Sequence, residues 1–324
     1  MNVRVFYHDR CFDGACSAAL FTRFYRERIR DDVQFEYMGL LHRAGALFNE
    51  DDFIGDENAI VDFKYSSSRK ITWWFDHHES AFLTPEDAEH FERDTSNRKF
   101  YDPGFKSCTR FLAMIAEQRF GFKTESMAEV IHWAEIIDGA MYENAKTAVE
   151  MAEPAMKLTM VIESAQEPDF GARLIPLLET VPLAQILSDP LIAPRLEPLL
   201  ERHQRSIEVL RQRSECKDGA VFFDLTDLEM EGYNKFIPYY LHPECTYSVG
   251  LSRSNFRNKV SVGSNPWTKR DDLVNLAKIC ERYGGGGHAR VGAISFDVSK
   301  GEEARKAARE IVAELRASAK ASGA

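Results

Sequence analysis

The sequence predicts an α/β protein in two domains: an N-terminal domain built on a largely parallel sheet flanked by helices, and a smaller C-terminal α/β domain. Three observations carry this. The chain has 324 residues and a mass of 37.0 kDa, too long for one ordinary core. Over its first 80 residues or so, short β-branched and aromatic runs alternate with helical or looped crossovers, the pattern of a parallel sheet covered on both faces. A helical middle follows, and strand signals return after Lys217-Asp218-Gly219.

Residues 3–7 read as the first strand. Residues 15–30 are rich in helix formers, with Ala18, Leu20, Phe21, Phe24 and Tyr25 at helical spacing. Residues 34–40, 58–63 and 71–75 read as further strands, and the adjacent Trp73 and Trp74 as packing residues on the two faces of the last. Residues 108–115, 127–137 and 145–162 read as helices, with Pro154 a kink or break in the third. Residues 196–214 form a long charged helix with an apolar stripe at Leu199, Leu200, Ile207 and Leu210, placed between the domains. Beyond it lie strands at 220–225, 246–253, 259–263 and 291–298, and helices at 271–282 and 302–319. The boundaries that follow are 1–190, a linker at 191–216, and 217–324.

A formal net charge of -10 argues against a protein that grips long duplex DNA by its backbone. It leaves room for a small anionic substrate, because bound metals and a few local cations can invert the field in one cleft. No apolar run approaches the roughly 20 residues of a membrane span. The N-terminus shows no basic segment followed by an apolar core, so the cytoplasm is the expected compartment. Six cysteines, none in a Cys-x-x-Cys pair, are expected to be reduced. Cys11 stands apart because of its neighbours.

Three clusters of metal-ligand residue types fall at predicted strand ends. His8, Asp9 and Asp13 follow the first strand, Asp62 follows Ala59-Ile60-Val61, and Asp76-His77-His78 follows Trp73-Trp74-Phe75. Parallel strands share one carboxyl edge, where ligand sites form, so the clusters are expected to converge. Imidazole with several carboxylates suits manganese, magnesium or iron-like ions better than a structural zinc. Two such ions, bridged by a carboxylate, suit phosphate ester hydrolysis.

These residues resemble, in order along nearly the whole chain, the motifs of the DHH phosphoesterase superfamily. The likeness is to its two-domain members with a C-terminal DHHA1 domain, the nanoRNase, oligoribonuclease-type and RecJ-like phosphoesterases. His8 to Ala18 looks like the first motif, Asp62 the second, Asp76-His77-His78 the signature third, Asp138 in Ile136-Ile137-Asp138-Gly139 the fourth, and Gly284-Gly285-Gly286-Gly287-His288 the DHHA1 glycine loop. The resemblance implies a hydrolase of small nucleotides or short oligonucleotides using two divalent ions, Mn2+ first, with Mg2+, Co2+ or Fe2+ as alternatives. Asp62 would bridge both metals. Asp13, His77 and Asp138 would complete one site, and His8 would help form the other. His78 would contact the substrate phosphate or leaving oxygen, and Asp76 would be a ligand or would orient a histidine. Arg253 and Ser254 would grip substrate, with Gly285, Gly286, Gly287 and His288 facing them. A homodimer fits the family's habit; a membrane partner does not fit. Many members carry Asp-x-Asp in the first motif, where this chain has Cys11 two positions before Asp13. A thiolate there would ligate a softer ion; a neutral thiol would leave one site depleted. Two other functions are compatible with the same residues: a pyrophosphatase or polyphosphatase, and a degenerate nucleotide-binding regulator.

Overall fold

In a computed structural model describing residues 1–42, 47–228, 230 and 232–321, the chain divides into two units. One comprises residues 1–142 with 151–199, the other 143–150 with 200 onward. The first unit holds strands β1 (Asn2–His8), β2 (Gln34–Leu40), β3 (Glu57–Val61), β4 (Ile71–Asp76) and β5 (Lys99–Tyr101). They form one sheet in the order β2-β1-β3-β4-β5 with every pairing parallel. Along the chain follow helices α1 (Phe12–Arg28), α2 (Pro85–Glu92), α3 (Cys108–Phe120), α4 (Ala128–Asp138), α5 (Ala145–Val149), α6 (Pro154–Ser164), α7 (Phe170–Thr180), α8 (Leu183–Ile186) and α9 (Ala193–Arg213).

The strand order places the site. From β1 the chain first adds β2 on one side and then β3 on the other. The crossovers therefore diverge and leave a crevice at the carboxyl ends of β1 and β3. Alternation along β4 fixes which residues reach it. Trp73 packs on one face with Phe21 and Phe24 of α1; Trp74 packs on the other with Tyr65 and Ile60. Burying one large ring is worth roughly 1.5–3 kcal/mol, and a one-residue slip would drive each set into the core shaped for the other, so the register that delivers Asp76 to the strand end is strongly held.

One expectation changes here. The helix expected over 145–162 is two helices in different units. Asn144 caps α5, its side chain accepting from the Thr147 N–H at 3.0 Å, and Asn234 Nδ2 donates to Ala148 O at 2.8 Å within the second unit. Pro154 marks the break, one of the two forms expected there: it stands in the first turn of α6, where its missing N–H costs nothing, and so starts a helix. Strand β5 and helix α2 carry no periodic signal. One has three half-buried residues, and the other buries none and so has no apolar face to read.

The second unit is a mixed sheet in the order β10-β11-β9-β8-β7-β6, formed by β6 (Glu215–Lys217), β7 (Ala220–Asp224), β8 (Tyr247–Arg253), β9 (Asn258–Ser264), β10 (Gly286–His288) and β11 (Val291–Phe296). Only β7 and β8 pair in parallel among the described residues. Helices α10 (Ile237–Leu241), α11 (Leu276–Glu281) and α12 (Gly301–Ala321) complete it. The last buries Ala304, Ala308, Ile311 and Leu315, spaced at helical intervals, in one core with Val249, Leu251 and Val260 of the sheet. Helix α11 is shorter than the 271–282 expected because Asn275 caps it, accepting from the Lys278 N–H.

Cys216 and Cys245 form a disulfide, against the expectation of free thiols. They lie 29 residues apart on β6 and the turn before β8, a spacing that carries no sequence signature. Cys16, Cys108 and Cys280 are free and buried, as expected. No helix among the described residues is long and apolar enough to cross a membrane.

Candidate metal centre

The carboxyl edge of the first sheet gathers the residues singled out above. His8 is the last residue of β1. Asp62 follows β3 in a left-handed backbone conformation (φ 56°) that asparagine and aspartate tolerate better than most residues. Asp76 ends β4, with His77 and His78 next. Asp13 lies in the first turn of α1, and Asp138 ends α4. Gly14 lets α1 start directly against β1: a Cβ there would stand 2.1 Å from His8 O.

His77 is the hub. Its Nδ1 lies 3.1 Å from Phe105 O, which fixes that nitrogen as the donor and turns Nε2 inward. Nε2 stands 3.4 Å from Asp62 Oδ1, 3.4 Å from Asp138 Oδ2 and 3.8 Å from Asp13 Oδ2. Nδ1 of His8 is 3.5 Å from Asp62 Oδ2. None of these contacts has hydrogen-bond geometry. Among the described residues, His8 Nδ1, His77 Nε2 and both Asp62 carboxylate oxygens are buried with no hydrogen-bond partner. Unsatisfied buried charge costs several kcal/mol per group. Orphans of this kind that converge on one point are what a cation site requires.

At this edge three groups have ligand atoms within 4.8 Å of one another: His8, Cys11 and Asp62; Asp62, His77 and His78; Asp13, His77 and Asp138. Asp62 is the one carboxylate that belongs to two of them. With Asp76 beside His78, four carboxylates face three imidazoles, so neutral histidines would leave four negative charges uncompensated. The residues present therefore fit divalent ions.

The titration behaviour has the same cause. Burial raises Asp13, and Asp62 and Asp138 raise it further. Two N–H donors at the start of α3 oppose this: Cys108 N–H to Asp13 Oδ2 at 2.6 Å and Thr109 N–H to Oδ1 at 3.0 Å. Burial and the charge of Asp62 push Asp138 up to about 6. Burial alone would raise Asp62, but the imidazoles of His77 and His8 beside it hold it well below the usual carboxylate range. Burial alone would lower His77; proximity to Asp62 and the charges of Asp13, Asp62 and Asp138 outweigh it and push His77 up to about 10. Without metal, a proton on His77 sits among the carboxylates.

Asp76 belongs to none of the three groups. Its Oδ1 accepts from the His77 N–H at 2.8 Å, the His78 N–H at 3.3 Å and His78 Nδ1 at 2.7 Å. It holds the turn and orients His78, leaving His78 Nε2 free.

The second unit does not bring its expected residues together. Arg253 ends β8, exposed, opposite Asn258 and in line with Phe296. Gly286–His288 pairs at the other end of β11, opposite Ala293 to Val291. The offset of three to five residues along the strands and three strands across separates Arg253 from His288 by roughly 20 Å. Gly285 and His288 thus do not face Arg253 and Ser254. Ser254 donates its N–H to Arg257 O at 2.9 Å in the β8–β9 turn. Gly287 (φ 151°) is required by the hairpin itself, because a Cβ would meet Val291 O at 2.2 Å.

No family model and no curated protein matches the chain. Among solved structures it is similar to the pGpG-specific phosphodiesterase PggH from Vibrio cholerae, with 19% identity, a TM-score of 0.70, and coverage of 98% of this chain and 99% of that one. A DHH-domain protein described as a member of a family of ribosomal proteins aligns with a TM-score of 0.55 at 14% identity, over 97% of this chain and 87% of that one. RecJ from Thermus thermophilus in complex with Mn2+ aligns with a TM-score of 0.53 at 12% identity, over 97% of this chain but 52% of RecJ. What the chain shares with these structures at such identities is the fold, and one of them is a DHH-domain protein.

Proposed function

We propose that the chain is a metal-dependent phosphodiesterase that hydrolyses small nucleotides or short oligonucleotides, in the cytoplasm. The observation that carries this is the set of orphaned, buried ligand atoms on His8, Asp62 and His77 at one sheet edge. Asp62 would bridge two ions, Mn2+ being the first choice. Asp13, His77 and Asp138 would complete one position and His8 the other. Divalent ions held there lower the pKa of water and offset the charge of a phosphodiester. The similarity to a pGpG-specific phosphodiesterase over the full length of both chains supports a short, linear nucleotide as substrate. The acidic chain supports it also, since a local cation cluster can hold a small anion where a long duplex would be repelled.

The protein's own groups then have distinct tasks. His77, fixed through Phe105 O, keeps Nε2 at the metals. His78, oriented by Asp76, presents Nε2. Burial would lower the His78 pKa, but the hydrogen bond to Asp76 and the charge of Asp62 raise it above its ordinary value. A proton on His78 is thus favoured, and its Nε2 can pass one to the leaving oxygen. Asp76→Asn removes the largest raising influence, so the His78 pKa falls. The alkaline limb of the kcat profile is expected to move to lower pH, with metal binding retained; an unmoved limb would refute this role.

The function is tested by incubating purified protein and Mn2+ with pGpG, pApA, a short RNA, a cyclic dinucleotide and pyrophosphate. Mononucleotide release from the linear substrates is expected. Hydrolysis of pyrophosphate alone, or of none, would overturn the proposal.

A further inference from the structure

Cys11 sits at the N-cap of α1, a position where serine, threonine, aspartate or asparagine would hydrogen-bond the first turn. It makes no such bond, although its backbone is extended as a cap requires (φ -121°, ψ 132°). Arg10, just before it, adopts a left-handed conformation (φ 55°), the kind of strained backbone that is maintained where a side chain must be aimed. Asp9, the carboxylate that could have compensated for a missing aspartate, points elsewhere. Its N–H donates to Leu40 O at 2.9 Å, and its Cγ lies 2.7 Å from where a Cβ on Gly39 would be, so it packs against β2. Cys11 Sγ instead shares a space of 4.8 Å with ligand atoms of His8 and Asp62. His8 Nδ1 and both Asp62 oxygens are there buried and without partners. Across Asp62, the Asp13-His77-Asp138 group contains no sulfur.

We propose that the centre is chemically asymmetric: His8, Cys11 and Asp62 form a thiolate-bearing position that takes a soft or borderline ion such as Fe2+, Co2+ or Zn2+, while Asp13, His77 and Asp138 with Asp62 form a nitrogen-and-oxygen position suited to Mn2+ or Mg2+. Ion binding at the first position displaces the Cys11 thiol proton to solvent and forms a metal–sulfur bond. The inference rests on the proposed metal centre and adds the metal preference of one half of it.

The test is optical and independent of turnover. The full chain, stripped by a chelator, is titrated with Co2+, with calorimetry run in parallel. A near-ultraviolet thiolate-to-cobalt charge-transfer band is expected, saturating at one equivalent, while calorimetry counts two. The band should be lost in Cys11→Ser and Cys11→Asp. Both replacements are favourable N-caps, so both should fold. In Cys11→Asp two ions should still bind, with selectivity moved from Co2+ toward Mn2+ and Mg2+. Two ions bound without the band would refute the Cys11 position and leave the metal centre standing. A band that persists in Cys11→Ser would place the sulfur on another cysteine and equally refute it. No ion bound at all would overturn the centre itself.

Discussion

Asp62→Asn is expected to lower kcat on a linear dinucleotide by about a thousandfold or more while leaving the fold intact. Asp62 is the one carboxylate that stands in two of the ligand groups, so its loss disables both metal positions together. Removing a single electrostatic group from an active site commonly costs 10²–10³-fold, and groups that act as a unit cost more. Asparagine is the informative replacement because it accepts the left-handed backbone at this position (φ 56°), where alanine would add strain. Because the imidazoles of His77 and His8 favour the charged form of Asp62, the metal-free variant should melt below the metal-free parent while keeping a cooperative transition. Activity within tenfold of the parent in steady-state assays would remove Asp62 from the mechanism.

Chelation is expected to abolish activity altogether and Mn2+ to restore it, with a stability change that follows the ion. An ion at a hundred times its Kd stabilises the folded chain by about 2.7 kcal/mol. The dependence on pH has a definite sign. With His77 pushed up to about 10, the metal-free protein carries a proton on that ring at pH 7, and the ion must displace it. Metal affinity should therefore rise with pH, and binding at pH 7 should release about one proton or more. Calorimetry in buffers of different ionisation enthalpy reads this directly; binding with no proton release would contradict the placement of His77.

Much of this site is legible in the sequence because its residues obey simple rules. Strand alternation and the parallel pattern place His8, Asp62 and Asp76-His77-His78 at strand ends that share one edge, and in the structure they do share it. Asp138 carries no such local signal. It ends a helix about 60 residues beyond His78 in sequence, is identified only through resemblance, and is brought to 3.4 Å from His77 by the packing of α4. The role of Asp76 is open in the sequence, because ligand and orienting group are the same residue type; in the structure its Oδ1 holds His78 and the turn, while its Oδ2 is buried without a hydrogen-bond partner like the other candidate ligand atoms. The Cys216–Cys245 bond and the departure of residues 143–150 to the second unit depend on long-range packing that periodicity does not encode. The glycine run misleads in another way. The family resemblance implies a phosphate cradle facing Arg253, whereas Gly287 is demanded by the β10–β11 hairpin, and strand register puts Arg253 at the far end of the sheet.

The central claim is that one cluster holds two ions through a shared Asp62. A calorimetric Mn2+ titration of the chelator-stripped chain, repeated on Asp62→Asn, tests it most directly. Two ions per chain in the parent and none bound with comparable affinity in the variant is the predicted result; no ion bound by the parent, or an unchanged stoichiometry and affinity in the variant, would contradict it.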